Sequence, residues 1–268
     1  NVSRLEIITK ERVQDEFCKM LTCKHPIMAM ELLRKIGAMH YVIPELEETY
    51  SMTQNEYHFG TVWEHTMMVL EGTKDDNMIL RISALLHDIG KIRVCTEEDG
   101  KIHFLKHELK SGEMIDELLR PLKFSNEIIK EVTFLVRNHM ICKTWGSECE
   151  YMKDKKLRRF QYECKTEERF RNLMTIIDAD NNAYAADKCM PKQVEFILSR
   201  TEAMKAEGSA MFGYKLPLTG KEIMDLKGIK PGSAVKECLD YLMKIAFVNP
   251  LRKKEEFVKH LLGYRLQK

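Results

Sequence analysis

The 268 residues carry 43 Lys and Arg against 41 Asp and Glu, a formal net charge of +2, and 44% of them are apolar. That apolar share supports a folded core and excludes a disordered tail, while the charge balance gives no molecule-wide field for nucleic acid, so any such contact must be local. No apolar run approaches the roughly 20 residues that span a bilayer, and Asn1-Val2-Ser3-Arg4 resembles neither a signal nor a transit peptide; the expectation is a cytoplasmic chain without a membrane partner.

Helical spacing of apolar residues begins at once, with Val13, Phe17, Met20 and Leu21, then Met28, Leu32, Leu33 and Ile36. Pro26 sits where a helix starts and Gly37 where one ends. A third apolar helix contains His65, and a fourth, Ala84-Leu85-Leu86, ends in His87-Asp88 followed by Ile89-Gly90-Lys91. Ile92–Thr96 and Lys101–Phe104 flank Asp99-Gly100, the favoured two-residue turn of a β-hairpin. His107 opens the next helix, which carries Ile115, Leu118 and Leu119. Ser125 is placed to cap one with Ile128, Val132, Leu135 and Val136, closed by His139. After a polar stretch at 146–156 comes the apolar run 173–180, with Asp178 and Asp180. Gly208, Gly213 and Pro217 mark a further boundary, and Thr219 is positioned to cap the helix after it. The fold class is therefore all-α with one small hairpin and a C-terminal helical subdomain from about residue 208. The eight cysteines lack a C-x-x-C pair and read as reduced thiols, mostly in the core.

A neutral imidazole beside a carboxylate is costly to bury unless something pairs with both, and a divalent cation does so. His65, in the apolar stretch 62–70, needs a partner of its own. Asp178 and Asp180 lie roughly 200° apart around a helix, so only one can face a given point; Asp180 is chosen, with Asp178 supporting it. His58, seven residues before His65, falls on the same face, whereas His25, His40, His103 and His260 read as ordinary histidines.

The order of His65, His87-Asp88 and Asp180 resembles the HD phosphohydrolase superfamily. The resemblance implies an all-α HD core and hydrolysis of a phosphate ester. It maps His65, His87, Asp88 and Asp180 onto a first metal, with His107 and His139 matching the histidines that hold a second. One or two divalent ions (Mn, Ni, Co, Fe or Mg) are implied, with Asp88 and Lys91 in catalysis and Lys91 as a point charge on phosphate.

The likeness extends along the chain. Glu11-Arg12-Val13-Gln14-Asp15-Glu16, Ile43-Pro44-Glu45-Leu46, Leu157-Arg158-Arg159-Phe160 and Leu218-Thr219-Gly220-Lys221-Glu222, with Lys230-Pro231-Gly232, are similar to segments of bacterial class II CCA-adding enzymes and poly(A) polymerases. This implies a neck-like segment at 1–50, an HD domain at 51–207 and a tail at 208–268. It also implies a nucleotide or RNA 3′-end substrate such as a 2′,3′-cyclic phosphate, and tRNA as a partner. His58, Arg158 and Arg159 join Lys91 as substrate-binding candidates, and Lys153, Lys155, Lys156 and Lys165 add to the local positive charge, as do Arg252, Lys253 and Lys254. The Gly-Ser loop and paired carboxylates of the family's nucleotidyltransferase head do not occur in this sequence, and the first residue is Asn1 rather than Met. The expectation is a piece of a larger enzyme or a relative without a head; in the alternative reading the chain is a tRNA-binding body whose HD site is vestigial or regulatory.

Overall fold

The computed structural model describes residues 2–55, 58, 60–73 and 76–266. Among them the chain forms α1 (Lys10–Thr22), α2 (Pro26–Lys35), the short α3 (Met39–Val42) and α4 (Glu45–Glu48), α5 (Val62–Gly72), α6 (Met78–Leu86) and α7 (Lys91–Val94). A hairpin of β1 (Thr96–Glu98) and β2 (Lys101–His103) follows, then α8 (His107–Leu119), α9 (Asn126–Asn138), α10 (Asp154–Cys164), α11 (Glu167–Asn182), α12 (Gln193–Ala206), α13 (Gly220–Lys227), α14 (Ser233–Val248) and α15 (Lys254–Gly263). The all-α class with a single hairpin is thus what forms, and no helix among the described residues is long and apolar enough to cross a membrane. Two compact units result: Asn1–Glu148 with Arg171–Val194, and Cys149–Phe170 with Glu195–Lys268.

In the first unit α5, α6, α8 and α9 pack on one another. Every residue of α6 from Leu80 to Leu86 is buried, the pattern of a helix enclosed on all sides. Leu70, Ile82, Leu86, Ile115, Leu119, Val132 and Val136 form the surrounding core. Caps fix where these helices begin. Thr61 and Glu64 make a reciprocal capping box on α5, Asn77 Oδ1 accepts from the Ile79 and Leu80 amides on α6, and Ser125 Oγ accepts from the Ile128 amide on α9.

The hairpin is shorter than its sequence suggested. Asp99 and Gly100 both take positive φ, 50° and 72°, as a tight primed turn requires, and Thr96 pairs with His103. Residues 92–94, expected in the first strand, instead form α7, because the turn after Asp88 continues to wind: the Lys91 and Arg93 amides donate to Asp88 and Gly90 carbonyls at 3.0 and 2.9 Å. The Lys91 side chain also turns back onto Asp88.

Gly90 lets α7 and α8 approach. A methyl there would lie 2.4 Å from the Ser111 nitrogen and 2.6 Å from the His107 carbonyl oxygen, and the Gly90 amide donates to Ser111 Oγ at 2.8 Å.

In the second unit α10 packs on α14, and α13, α14 and α15 pack together around Ile223, Cys238, Leu242, Ala246, Phe257 and Leu261. Thr219 and Glu222 form a capping box on α13. Asp154, at the start of α10, is held by Arg200 at 2.9 and 2.6 Å.

Replacing Gly90 with Ala is expected to destabilise the protein by about 1–3 kcal/mol, the cost of overpacking against backbone, seen as a lower thermal midpoint. Gly263→Ala, where an added methyl meets nothing within 4 Å, is expected to be neutral or slightly stabilising; equal losses in both would refute the close-approach argument.

Candidate metal centre

Five segments of the first unit deliver side chains to one point. His65 lies in the first turn of α5, His87 caps the C-terminus of α6 with Asp88 immediately after, His107 begins α8, His139 caps the C-terminus of α9, and Asp180 stands near the end of α11. All six are buried, and none is more than 8% exposed.

The four imidazoles share one orientation. Nδ1 lies 3.2 Å from the Ala183 carbonyl oxygen in His65, 2.8 Å from Ala84 in His87, 2.9 Å from Phe104 in His107 and 2.7 Å from Val136 in His139. A carbonyl only accepts, so each Nδ1 carries the hydrogen and each Nε2 points inward, the arrangement typical of histidine metal ligands. In three of the four the accepting carbonyl is three residues earlier, so a helix end supplies both the ring and its anchor.

The Asp88 carboxylate joins two groups. Its Oδ2 lies 3.5 Å from His65 Nε2 and 3.2 Å from His87 Nε2, while its Oδ1 lies 3.1 Å from His107 Nε2 and 3.7 Å from His139 Nε2. Asp180 Oδ1 adds to the first group, 3.2 Å from His65 and 3.9 Å from His87. Candidate ligand atoms of His65, His87 and Asp88, and separately those of Asp88, His107 and His139, lie within 4.8 Å of one another. Asp88 Oδ1 is buried and accepts no hydrogen bond among the described residues, so the charge facing His107 and His139 lacks a proton donor, an environment that suits a cation. His65 and His87 Nε2 stand only 3.3 Å apart, a contact that needs a proton or a cation in the same way. This donor set of imidazoles and carboxylates fits a borderline divalent ion.

Charge regulation agrees. Burial pushes His139 down to about 3, with His87 and His107 adding to the effect, so this ring is neutral despite a helix C-terminus that would favour a cation. Burial also lowers His65, against the pull of Asp180 and Asp88. His87 is raised, because Asp88 and Asp180 overcome its burial. Burial would raise Asp88 and Asp180, but His87, Lys91 and His107 hold the first well below the carboxylate range, and Lys143 and His65 do so for the second.

An open cavity of about 440 Å³ adjoins the cluster, lined by Asn55, His58, Lys91, Phe104, His107, Met140, Lys143, Tyr184 and Met190, among others. His103, read from sequence as an ordinary histidine, also lines it. His58 arrives differently from its expected helical face: Thr61 caps α5, so His58 precedes the helix and instead bridges to Tyr184. Its ring packs 4.5 Å from those of His65 and Tyr184, and burial and the Lys91 charge push it down to about 3.

Lys91, expected on phosphate, places its Nζ 2.6 Å from Asp88 Oδ2 and 2.6 Å from Gln54 Oε1. Asp178 is half-buried. Arg158 and Arg159 belong to the second unit: Arg158 donates to the Phe247 and Val248 carbonyls, and exposed Arg159 pairs with Glu163. Sequence reasoning missed Lys143, Gln54 and Tyr184. Lys143 lies four residues after His139, the one sequence signal that marks it; Gln54 and Tyr184 carry no local signal.

A helical core that brings a histidine, a His-Asp pair and a later aspartate into one buried cluster defines an HD domain, and residues 55–181 match the family model described as HD domain. Residues 1–49 match the model described as probable RNA and SrmB-binding site of polymerase A. The chain thus matches an HD model beside a model described for RNA binding, and it resembles the HD, body and tail half of CCA-adding enzymes. It is 27% identical over 243 residues to an A-adding tRNA nucleotidyltransferase of Deinococcus radiodurans, covering 88% of this chain and 54% of that protein. It is 27% identical over 266 residues to a CC-adding tRNA nucleotidyltransferase of Thermus thermophilus, covering 96% and 57%. A multifunctional CCA protein of Actinobacillus pleuropneumoniae is 31% identical over 143 residues, 50% of this chain and 34% of that one. The chain spans about half the length of the first two relatives.

Two expectations follow. His107→Ala or His139→Ala should each lower bound metal by about one ion while the first remains, if two ions are clamped; elemental analysis showing an unchanged count would reject the second group. For chelated protein, the unfolded chain takes up protons at His58 and His139 as pH falls through about 6.5, whereas the folded chain does so only near 3. Stability should therefore decline through that window by up to about 1.4 kcal/mol per pH unit for each ring, with His65 adding and raised His87 opposing. Urea midpoints that do not fall between about pH 7.5 and about pH 5 would contradict this.

Proposed function

We propose that this centre is a divalent-metal phosphohydrolase acting on phosphate esters of nucleotides or RNA ends, 2′,3′-cyclic phosphates among them. The observation that carries the reading is the convergence of four Nδ1-anchored imidazoles on Asp88, whose two oxygens face separate groups. A divalent ion held there supplies an acidified water and polarised phosphoryl oxygens. The protein's part is to hold and orient. His65, His87, Asp88 and Asp180 would bind one ion, and His107 and His139, sharing Asp88, a second. Lys91 keeps Asp88 turned toward both groups, and its contact with Gln54 fixes the ammonium. Phe104, Met140, Tyr184 and Met190 give the cavity apolar walls suited to a base or ribose.

A second reading, tRNA binding, is favoured by a separate observation. The second unit has a groove of about 690 Å³ in which Lys153, Lys155, Lys156, Arg159 and Lys244 outnumber Glu163 and Asp240 beside Tyr162 and Phe247, and the relatives matched along most of this chain are named for tRNA. Cations beside an aromatic ring suit a phosphate backbone. The two readings are compatible.

The test is release of product from 2′,3′-cyclic AMP with Mn, Co, Ni or Mg, comparing wild type with His87→Ala and Asp88→Ala. Turnover that falls to background in both variants is expected. Bound metal and bound tRNA without turnover on any ion would leave the second reading and remove the first.

A further inference from the structure

We infer that Lys143, rather than Lys91, is the side chain that receives the substrate phosphate, an inference that rests on the phosphohydrolase reading. An ammonium has three donors. Those of Lys91 face Asp88 Oδ2 at 2.6 Å, Gln54 Oε1 at 2.6 Å and His58 Nε2 at 3.5 Å, and its side chain is 2% exposed. It is a buried counter-charge held between a carboxylate and an amide oxygen.

Lys143 is built differently. It donates to Asn181 Oδ1 at 2.8 Å, and Asp180 Oδ2 lies 2.9 Å away as its ion-pair partner. The remaining side of the ammonium faces the Tyr184 ring, 4.0 Å from its centroid, and the side chain is 14% exposed to the cavity it lines. A ring face is a weak acceptor, and an anionic phosphate oxygen makes a shorter and stronger charge-assisted hydrogen bond. Phosphate entering the cavity therefore gains a donor at Lys143, whereas at Lys91 it would have to displace a carboxylate or an amide.

The position of Lys143 is held by a closed set of contacts. Asn181 donates to Gln193 Oε1 at 3.0 Å, and Gln193 Nε2 lies 3.0 Å from the Cys142 carbonyl and 2.7 Å from that of Gly146. The turn carrying Lys143 is thus fastened to the end of α11 that carries Asp180. An ammonium held on the Asp180 carboxylate of the first group lines the cavity through which an ester would reach the cluster. Lys188 lines the same cavity but is exposed and lies 3.4 Å from Asp187, so it serves as the control for diffuse attraction.

Isothermal titration of metal-loaded protein with inorganic phosphate tests this without requiring turnover. Lys143→Met should weaken phosphate binding by roughly 10-fold or more, the loss of one charge-assisted hydrogen bond. Lys143→Arg should restore most of it, and metal content and circular dichroism should match wild type in both. Lys188→Met should change it by less than about 3-fold, as a screened exposed charge does. Undiminished binding in Lys143→Met overturns the assignment, as does an equal loss in Lys188→Met or a larger one in Lys91→Met. Wild type that binds no phosphate overturns it as well. Phosphate bound through Lys143 without hydrolysis of any ester would remove the phosphohydrolase reading and leave the anion site standing.

Discussion

A carboxylate cannot stay ionised in a protein interior unless its surroundings supply positive charge or donors, and Asp88 places that demand on almost everything around it. Its two oxygens face four histidines, and Lys91 closes on it from the following turn. Asp180, on α11, repeats the problem beside it and is met by Lys143 and His65. The cluster is therefore a set of mutually dependent charges, in which each group is tolerable only because the others are present.

The scaffold meets this demand with helix ends. His87, His107 and His139 each sit where a helix starts or stops, and each turns its Nδ1 onto a carbonyl three residues back. The same local geometry thus fixes ring orientation and tautomer three times over. Caps at Thr61, Asn77 and Ser125 determine where the helices begin, and the close approach at Gly90 sets Asp88 against His107. A ligand cluster carried on loops would have none of this precision.

Similarity to tRNA nucleotidyltransferases runs along both compact units, yet each unit offers its own chemistry. The first has the buried charge cluster and its cavity, and the second has a groove of lysines beside aromatic rings. The two proposed roles, hydrolysis of a phosphate ester and the holding of an RNA backbone, both require positive charge, in the one case concentrated at a point and in the other spread along a surface. The near-neutral whole-chain charge conceals both.

Helical periodicity, the Asp-Gly turn, the caps at Ser125 and Thr219 and the order His65, His87-Asp88, Asp180 were all legible in the sequence, because each depends on neighbours within a few residues or on residue types that are costly to bury. Hairpin length was not legible, since whether residues 92–94 extend or wind depends on the turn started at Asp88. The position of His58 depended on where α5 is capped. Tertiary structure alone decided that Asp88 faces two groups, that of the two lysines lining the cavity Lys91 is held by Asp88 and Gln54 while Lys143 turns one side to the Tyr184 ring, and that residues 149–170 pack with 195–268. The physical reason is common to all three: each contact is set by distances between segments far apart in the chain, and those distances exist only once the helices have packed.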